Sequence, residues 1–366
     1  MSTATKDNAI AATNDAAIAL KTILHARTFP NSTAQAKEDA AVDAGISAMV
    51  AAFGAIDYSV PAPAMPGGTP SAPKVYSGQS GLIISGLSFD GTGKAVDLLT
   101  LNSCTNVHIT MCRFSNTNGI SIRLNNCTNI TVDYNFFTMV NFGVMATNCI
   151  GTKVNFNQGL NLWAPVKYNN NFAHFVQYIN CSGSGQQIND NIFFSQRGIA
   201  VHPHDCISIF QTSGASGSPI QIKRNKIKGG QTDGGWPNTG DTGVGITAPD
   251  VSGNHYDITD NVVVNCGVNG IIVVATADTI NVANNIAICD DKTMKSYDGF
   301  TFTGTKTNMT VSGNRARWIR PDGSYLGLWL GKSGATTQAG VTFTNNNWND
   351  ATLTSTIIPD NIITYK

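Results

Sequence analysis

Thr105-Asn106-Val107-His108-Ile109-Thr110-Met111-Cys112-Arg113-Phe114 is answered 23 residues later by Thr128-Asn129-Ile130-Thr131-Val132-Asp133-Tyr134-Asn135-Phe136-Phe137, position for position. The shared pattern is apolar, any, apolar, two of any, Asn or Cys, any, apolar. It returns at Ile188/Asn191/Phe193, Ile220/Ile222/Asn225/Ile227, Tyr256/Ile258/Asn261/Val263 and Ile280/Val282/Asn285/Ala287. Met309/Val311/Asn314/Ala316 and Val341/Phe343/Asn346/Trp348 complete it. A unit that recurs at this loose period is the signature of a repeat architecture.

One copy narrows the choice. Alternation over four or five residues is the strand period, with one face buried. The Asn breaks that period as a turn does, because Asn tolerates left-handed backbone angles and bonds nearby backbone groups. Most copies continue with a short Gly-led strand, as in Gly119-Ile120-Ser121-Ile122, Gly143-Val144, Gly198-Ile199 and Gly270-Ile271-Ile272-Val273. Strand, Asn corner, Gly-led strand and return make one coil of a solenoid, which buries its core only by stacking on the next. The expected fold is all-β: a right-handed parallel β-helix over residues 82–366, its coils clearest up to about residue 350. The Asn residues are expected to form an internal ladder of Asn135, Asn191, Asn225, Asn261, Asn285, Asn314 and Asn346. Cys104, Cys127, Cys149 and Cys181 are expected to stack as a second file of free thiols.

Composition agrees. Charged residues are 13% of the 366, about half the usual share. Glu38 is the sole glutamate, so chemistry that needs a carboxylate falls to Asp. A formal net charge of zero excludes a general nucleic-acid binder. No apolar run reaches the length of a membrane span. None follows Met1 either, so the reading is a chain without a signal peptide, made in the cytoplasm and then virion-associated or exported by a non-classical route.

Residues 1–58 are different material, expected as an α-helical attachment or capping segment. Val42, Ile46, Met49, Phe53 and Ile56 step by fours and threes in a heptad-like seam. So few large apolar residues do not hold a free-standing pair, which points to docking on the first coil or between subunits, as in a homotrimer or a virion attachment. Residues 59–81, with Pro61, Pro63, Pro66, Pro70 and Pro73, read as a stiff linker.

Regularity fails between Trp163 and Asp260, where enlarged turns carry Trp163, Lys167, Tyr168, His174 and then Asp233, Trp236 and Asp241. Long turns from adjacent coils gather on one side, and loops on rigid scaffolds carry function. His202-Pro203-His204-Asp205 stands at their centre. His titrates near neutral pH and suits a general base. Arg197 or Lys223 is suited to neutralise a substrate carboxylate, and a calcium ion held by Asp205 is the alternative cofactor. Lys226, Lys167 and Tyr168 are candidates for substrate contact, and Trp163 and Trp236 for stacking on sugar faces. Asp205 with Asp233 or Asp241 is the pairing that hydrolysis would need.

The repeat pattern, Asn corner and Gly-led strands resemble the pectin-lyase-like superfamily of right-handed parallel β-helices. That superfamily includes polysaccharide lyases, glycoside hydrolases, uronate epimerases and phage tailspikes. Pro203-His204-Asp205 resembles the Asp-Pro-His-Asp motif of mannuronan epimerases, with His202 where that motif has its first Asp. The resemblance implies a polysaccharide partner and lyase-type β-elimination, with hydrolysis or epimerisation second. The competing reading is a non-catalytic adhesion or carbohydrate-binding module.

Overall fold

The structure is a computed structural model and describes residues 68–162, 173–196, 203–229, 243–274, 276–291, 296–331 and 334–365. They fall chiefly within one compact unit, Met65–Ile363. The expected helices of residues 1–58 lie outside the described residues.

Every sheet pairing between strands is parallel, and each coil contributes strands to three faces. The first face is a sheet of ten strands running from Ile83–Ser85 to Val341–Thr344. The second and third belong to one continuous eighteen-stranded sheet. They are joined because Arg113–Asn125 and Phe136–Thr147 run through the corner between them without a break. The architecture is a parallel β-helix.

Register follows the apolar alternation read from the sequence. On the first face Ile84, Ile109, Val132, Val154, Ile188, Ile222, Ile258, Val282, Val311 and Phe343 stand in one column, each paired to the next. On the second, Phe89, Phe114 and Phe137 stack with ring centroids 5.1 Å apart. Gly159 follows them in register because Phe175 occupies the space: a Cβ on Gly159 would stand 2.7 Å from that ring.

Two ladders hold the corners. At the turn from first to second face, each Asn Oδ1 accepts the backbone N–H of the equivalent residue one coil earlier. The file runs from Cys112 through Asn135, Asn157, Asn191, Asn225, Asn261, Asn285 and Asn314 to Asn346. The left-handed residue is not the Asn but the one before it: Met111, Tyr134, Phe156, Asp190, Arg224, Asp260, Asn284, Gly313 and Asn345 have φ between 53° and 64°. Left-handed geometry costs a non-Gly residue about 1–2 kcal/mol, which the buried amide bonds offset. At the turn from third to first face the thiols of Cys127, Cys149 and Cys181, then the Thr212 hydroxyl, accept in the same way. All eight cysteines are free and buried, among them the four expected to stack.

One boundary moves. Within the expected linker 59–81, Thr69–Ser71 and Lys74–Ser77 are already strands, paired with Leu87–Phe89 and Leu99–Asn102. Pro70 is tolerated there because a strand at the open edge has no ladder bond to lose on one side.

Candidate functional site

The third face carries the candidate site. Its first residues stack in register as Ile120, Phe142, His174, Asp205 and Val244. The column changes from apolar to titratable where the connections from the second face lengthen to include residues 163–172, 197–202 and 230–242. Those segments lie outside the described residues. With them lie Trp163, Lys167, Tyr168, Arg197, His202, Asp233, Trp236 and Asp241.

The remaining pieces converge. The backbone N–H of His204 donates to Ala173 at 2.9 Å, and its carbonyl accepts from Gly243 and Val244 at 3.0 Å each. The residue is thus pinned to the coils on either side. Its Nδ1 stands 3.1 Å from Asp205 Oδ2. A carboxylate accepts, so Nδ1 carries a proton. Asp205 is buried, and its Oδ1 accepts from the Thr247 hydroxyl at 2.9 Å. Thr247 comes from the outward column of the next coil, where it pairs with Ser208. His204 keeps 29% of its side chain exposed against 4% for Asp205. The geometry is an acid–base pair with its carboxylate fixed from behind and its imidazole at the surface.

His174 completes the cluster from the preceding coil. Its Nδ1 donates to the backbone carbonyl of Asp205 at 3.0 Å, and its ring stands edge-on to that of His204. Burial pushes its pKa down to about 4, with His204 acting in the same direction and Asp205 opposing, so it is neutral at pH 7. The sequence places His174 in an enlarged turn, whereas it opens the strand His174–Ile179; the missed signal is its register partner, Asp205, 31 residues on.

Donor atoms of His174, His204 and Asp205 lie within 4.8 Å of one another, the composition of a two-histidine, one-carboxylate metal site. The His174 nitrogen nearest Asp205 is committed as a donor to a carbonyl, so it is no ligand in this arrangement. Calcium, which takes roughly six to eight oxygens, does not fit a set with two imidazoles. Hydrogen bonding accounts for the cluster.

Two expected residues are elsewhere. Lys223 ends a strand of the first face and forms an ion pair with Asp257, so it does not flank His204. Lys226 is exposed on the second face. Alternation alone shows that these side chains point outward, but not from which of three faces. His108 likewise belongs to the first face, 2.7 Å from Asp133.

No protein-family model and no curated protein matches the sequence. Among solved structures, the exopolygalacturonase from Thermotoga maritima aligns over 69% of this chain and 55% of its own, at 11% identity and a TM-score of 0.39. The tailspike protein of E. coli bacteriophage HK620, solved in mutant forms in complex with pentasaccharide, aligns over 76% of this chain and 59% of its own. Its identity is 12% and its TM-score 0.41. This chain spans little more than half the length of each of those proteins.

Proposed function

We propose that the protein binds an acidic polysaccharide across the third face and cleaves it by β-elimination, with His204 as the group that removes the proton. The observation that carries this reading is the Thr247–Asp205–His204 chain. A buried carboxylate, fixed by a hydroxyl, holds Nδ1 of the His204 imidazole. That arrangement suits a base working near neutral pH.

In the reaction His204 takes the C5 proton of a uronate unit, the C5–H electrons form the C4=C5 double bond, and the C4–O bond breaks. The imidazolium of His204 returns that proton to the leaving oxygen, and two shorter chains result, one with an unsaturated end. Lys223 is spent on Asp257, so we assign neutralisation of the substrate carboxylate to Arg197, in the connection leading to His204. Hydrolysis is the second reading. It needs two carboxylates about 5–9.5 Å apart, and Asp250, its pKa raised by burial and then by the charge of Asp205, is the described carboxylate that could partner Asp205.

The test is turnover on a panel of acidic polysaccharides, followed by the ultraviolet absorbance of the unsaturated ends. His204→Ala is expected to lose about 10²–10⁴-fold in kcat with the fold intact, the usual worth of one proton-transfer group. Wild-type protein that binds the chains without releasing unsaturated ends would make this a binding module instead.

A further inference from the structure

Farther along the third face the outward column changes character. Thr247 is followed in register by Ile272, Thr301 and Trp329, while Ile271, Phe300 and Leu328 point to the core. At the strand starts, Asn269 and Asp298 are register partners. Asn269 Nδ2 donates to Asp298 Oδ1 at 2.7 Å and to Thr301 Oγ1 at 3.2 Å, and the Thr301 hydroxyl donates to the same carboxylate oxygen. Asp298 is 4% exposed. A carboxylate so nearly buried is costly unless fully bonded, and its Oδ2 accepts nothing from a described residue.

That carboxylate lines an open cleft of about 330 Å³ shared with Ile272, Val274, Tyr297, Arg320 and Trp329. Arg320 is fixed by one bond, Nε to the Tyr297 carbonyl at 2.8 Å. Its two terminal amino groups donate to no described residue. The cleft thus offers an indole, an apolar floor, a fixed acceptor and a fixed fork of donors. Arg320 and Asp298 leave it near electrical balance.

We propose that this cleft is a second carbohydrate subsite, taking one uncharged pyranose unit that lies on Trp329 with hydroxyls bonded to Asp298 and Arg320. A sugar ring has an apolar face for an indole and edge hydroxyls that both donate and accept. Asp298 accepts from a hydroxyl and Arg320 donates to one, so each satisfies a group that no described residue bonds. Asp298 lies three coils from Asp205 along one sheet, roughly 14 Å at the spacing of paired strands. A chain with alternating acidic and neutral units would therefore meet both places. The proposal rests on the carbohydrate reading above, but not on His204 chemistry.

Isothermal titration calorimetry with lactose, cellobiose and chitobiose tests it. Wild-type protein is expected to bind at least one of them. Arg320→Gln should weaken that binding about 10- to 100-fold, the loss of a charged hydrogen bond, and Trp329→Ala about 10-fold. His204→Ala should bind as wild type does. Should Trp329→Ala fail to fold, the surface substitution Arg320→Gln still decides the matter. No binding of any neutral disaccharide, or equal binding by Arg320→Gln, overturns the subsite. Neutral binding without turnover of acidic chains overturns the catalytic reading and leaves the subsite standing.

Discussion

The Asn ladder can be tested through Asn261. Its side chain is fully buried and makes four bonds. Oδ1 accepts from Asn225 N at 3.0 Å and Asn225 Nδ2 at 2.9 Å, while Nδ2 donates to Ile222 O at 2.7 Å and Asn285 Oδ1 at 2.9 Å. Asn261→Leu keeps a similar shape and removes all four. Asn225 Nδ2 retains Ile188 O, and Asn285 Oδ1 retains the Asn261 backbone N–H. The Asn225 N–H and, on its lone pair toward the ladder, the Ile222 carbonyl are left without partners. Two buried orphans cost about 2–6 kcal/mol together, and burying Leu returns roughly 1.5–3. The net loss should be about 1–3 kcal/mol.

Equilibrium denaturation measures it, with Thr307→Ala on an exposed strand position as the control, expected within about 0.5 kcal/mol of wild type. Coils of a solenoid can open separately, so amide exchange at Asn225 should be followed too. Its protection is expected to fall about tenfold for every 1.4 kcal/mol lost. A loss indistinguishable from that of Thr307→Ala, with the Asn225 amide as protected as before, would refute the ladder as a source of stability.

Two further outcomes follow from buried titratable groups. His174 has its pKa held at about 4 when folded and about 6.5 when unfolded. The unfolded chain therefore takes up the proton first, and stability falls by about 3 kcal/mol as pH drops from 7 to 4. Asp298 has the opposite sign: burial raises it to about 6 against its bonds to Thr301 and Asn269, so its contribution, about 3 kcal/mol, is present at low pH and lost as pH rises through 6. Between pH 4.5 and 6.5, His174→Asn should gain stability on acidification relative to wild type and Asp298→Asn should lose it; parallel pH profiles for all three would contradict the assignment. Burial also pushes the Cys289 thiol up to about 12 and raises that of Cys112. Alkylation at pH 8 should modify none of the eight cysteines in native protein and all eight in denaturant, and mass spectrometry showing rapid native labelling would count against the buried files.

Much of this fold was legible because its determinants are local. Alternating apolar residues, a corner Asn and a corner Cys lie within ten residues of one another, and each sets its coil without reference to the rest. Asn157 escaped the pattern because Gly159 stands where an apolar residue is expected, its space taken by Phe175 from another face. The site was half legible. Pro203-His204-Asp205 stands out in sequence, but Thr247 and His174 join it only through register, across insertions whose lengths hide the pairing. Nothing in the sequence marks Asp298 or Trp329 for the same reason: a strand position does not announce which neighbours close a cleft above it.

The three corners of the coil explain why both polar clusters sit where they do. The Asn ladder runs along the corner between first and second faces, and the Cys–Thr file holds the corner between third and first over the earlier coils. Loss of either file would unpair buried amides at about 1–3 kcal/mol each. The corner between second and third faces carries no comparable ladder among the described residues. It is crossed by the uninterrupted strands Arg113–Asn125 and Phe136–Thr147, which turn at the left-handed residues Asn116 and Met139, and by connections of several lengths afterwards. Lengthening a connection there costs little more than loop entropy, about 0.6 kcal/mol per doubling. Asp205 and Asp298 are the first residues of the strands that leave this corner. Both polar clusters thus stand at a corner whose connections vary in length, on strands that the two ladders keep in register.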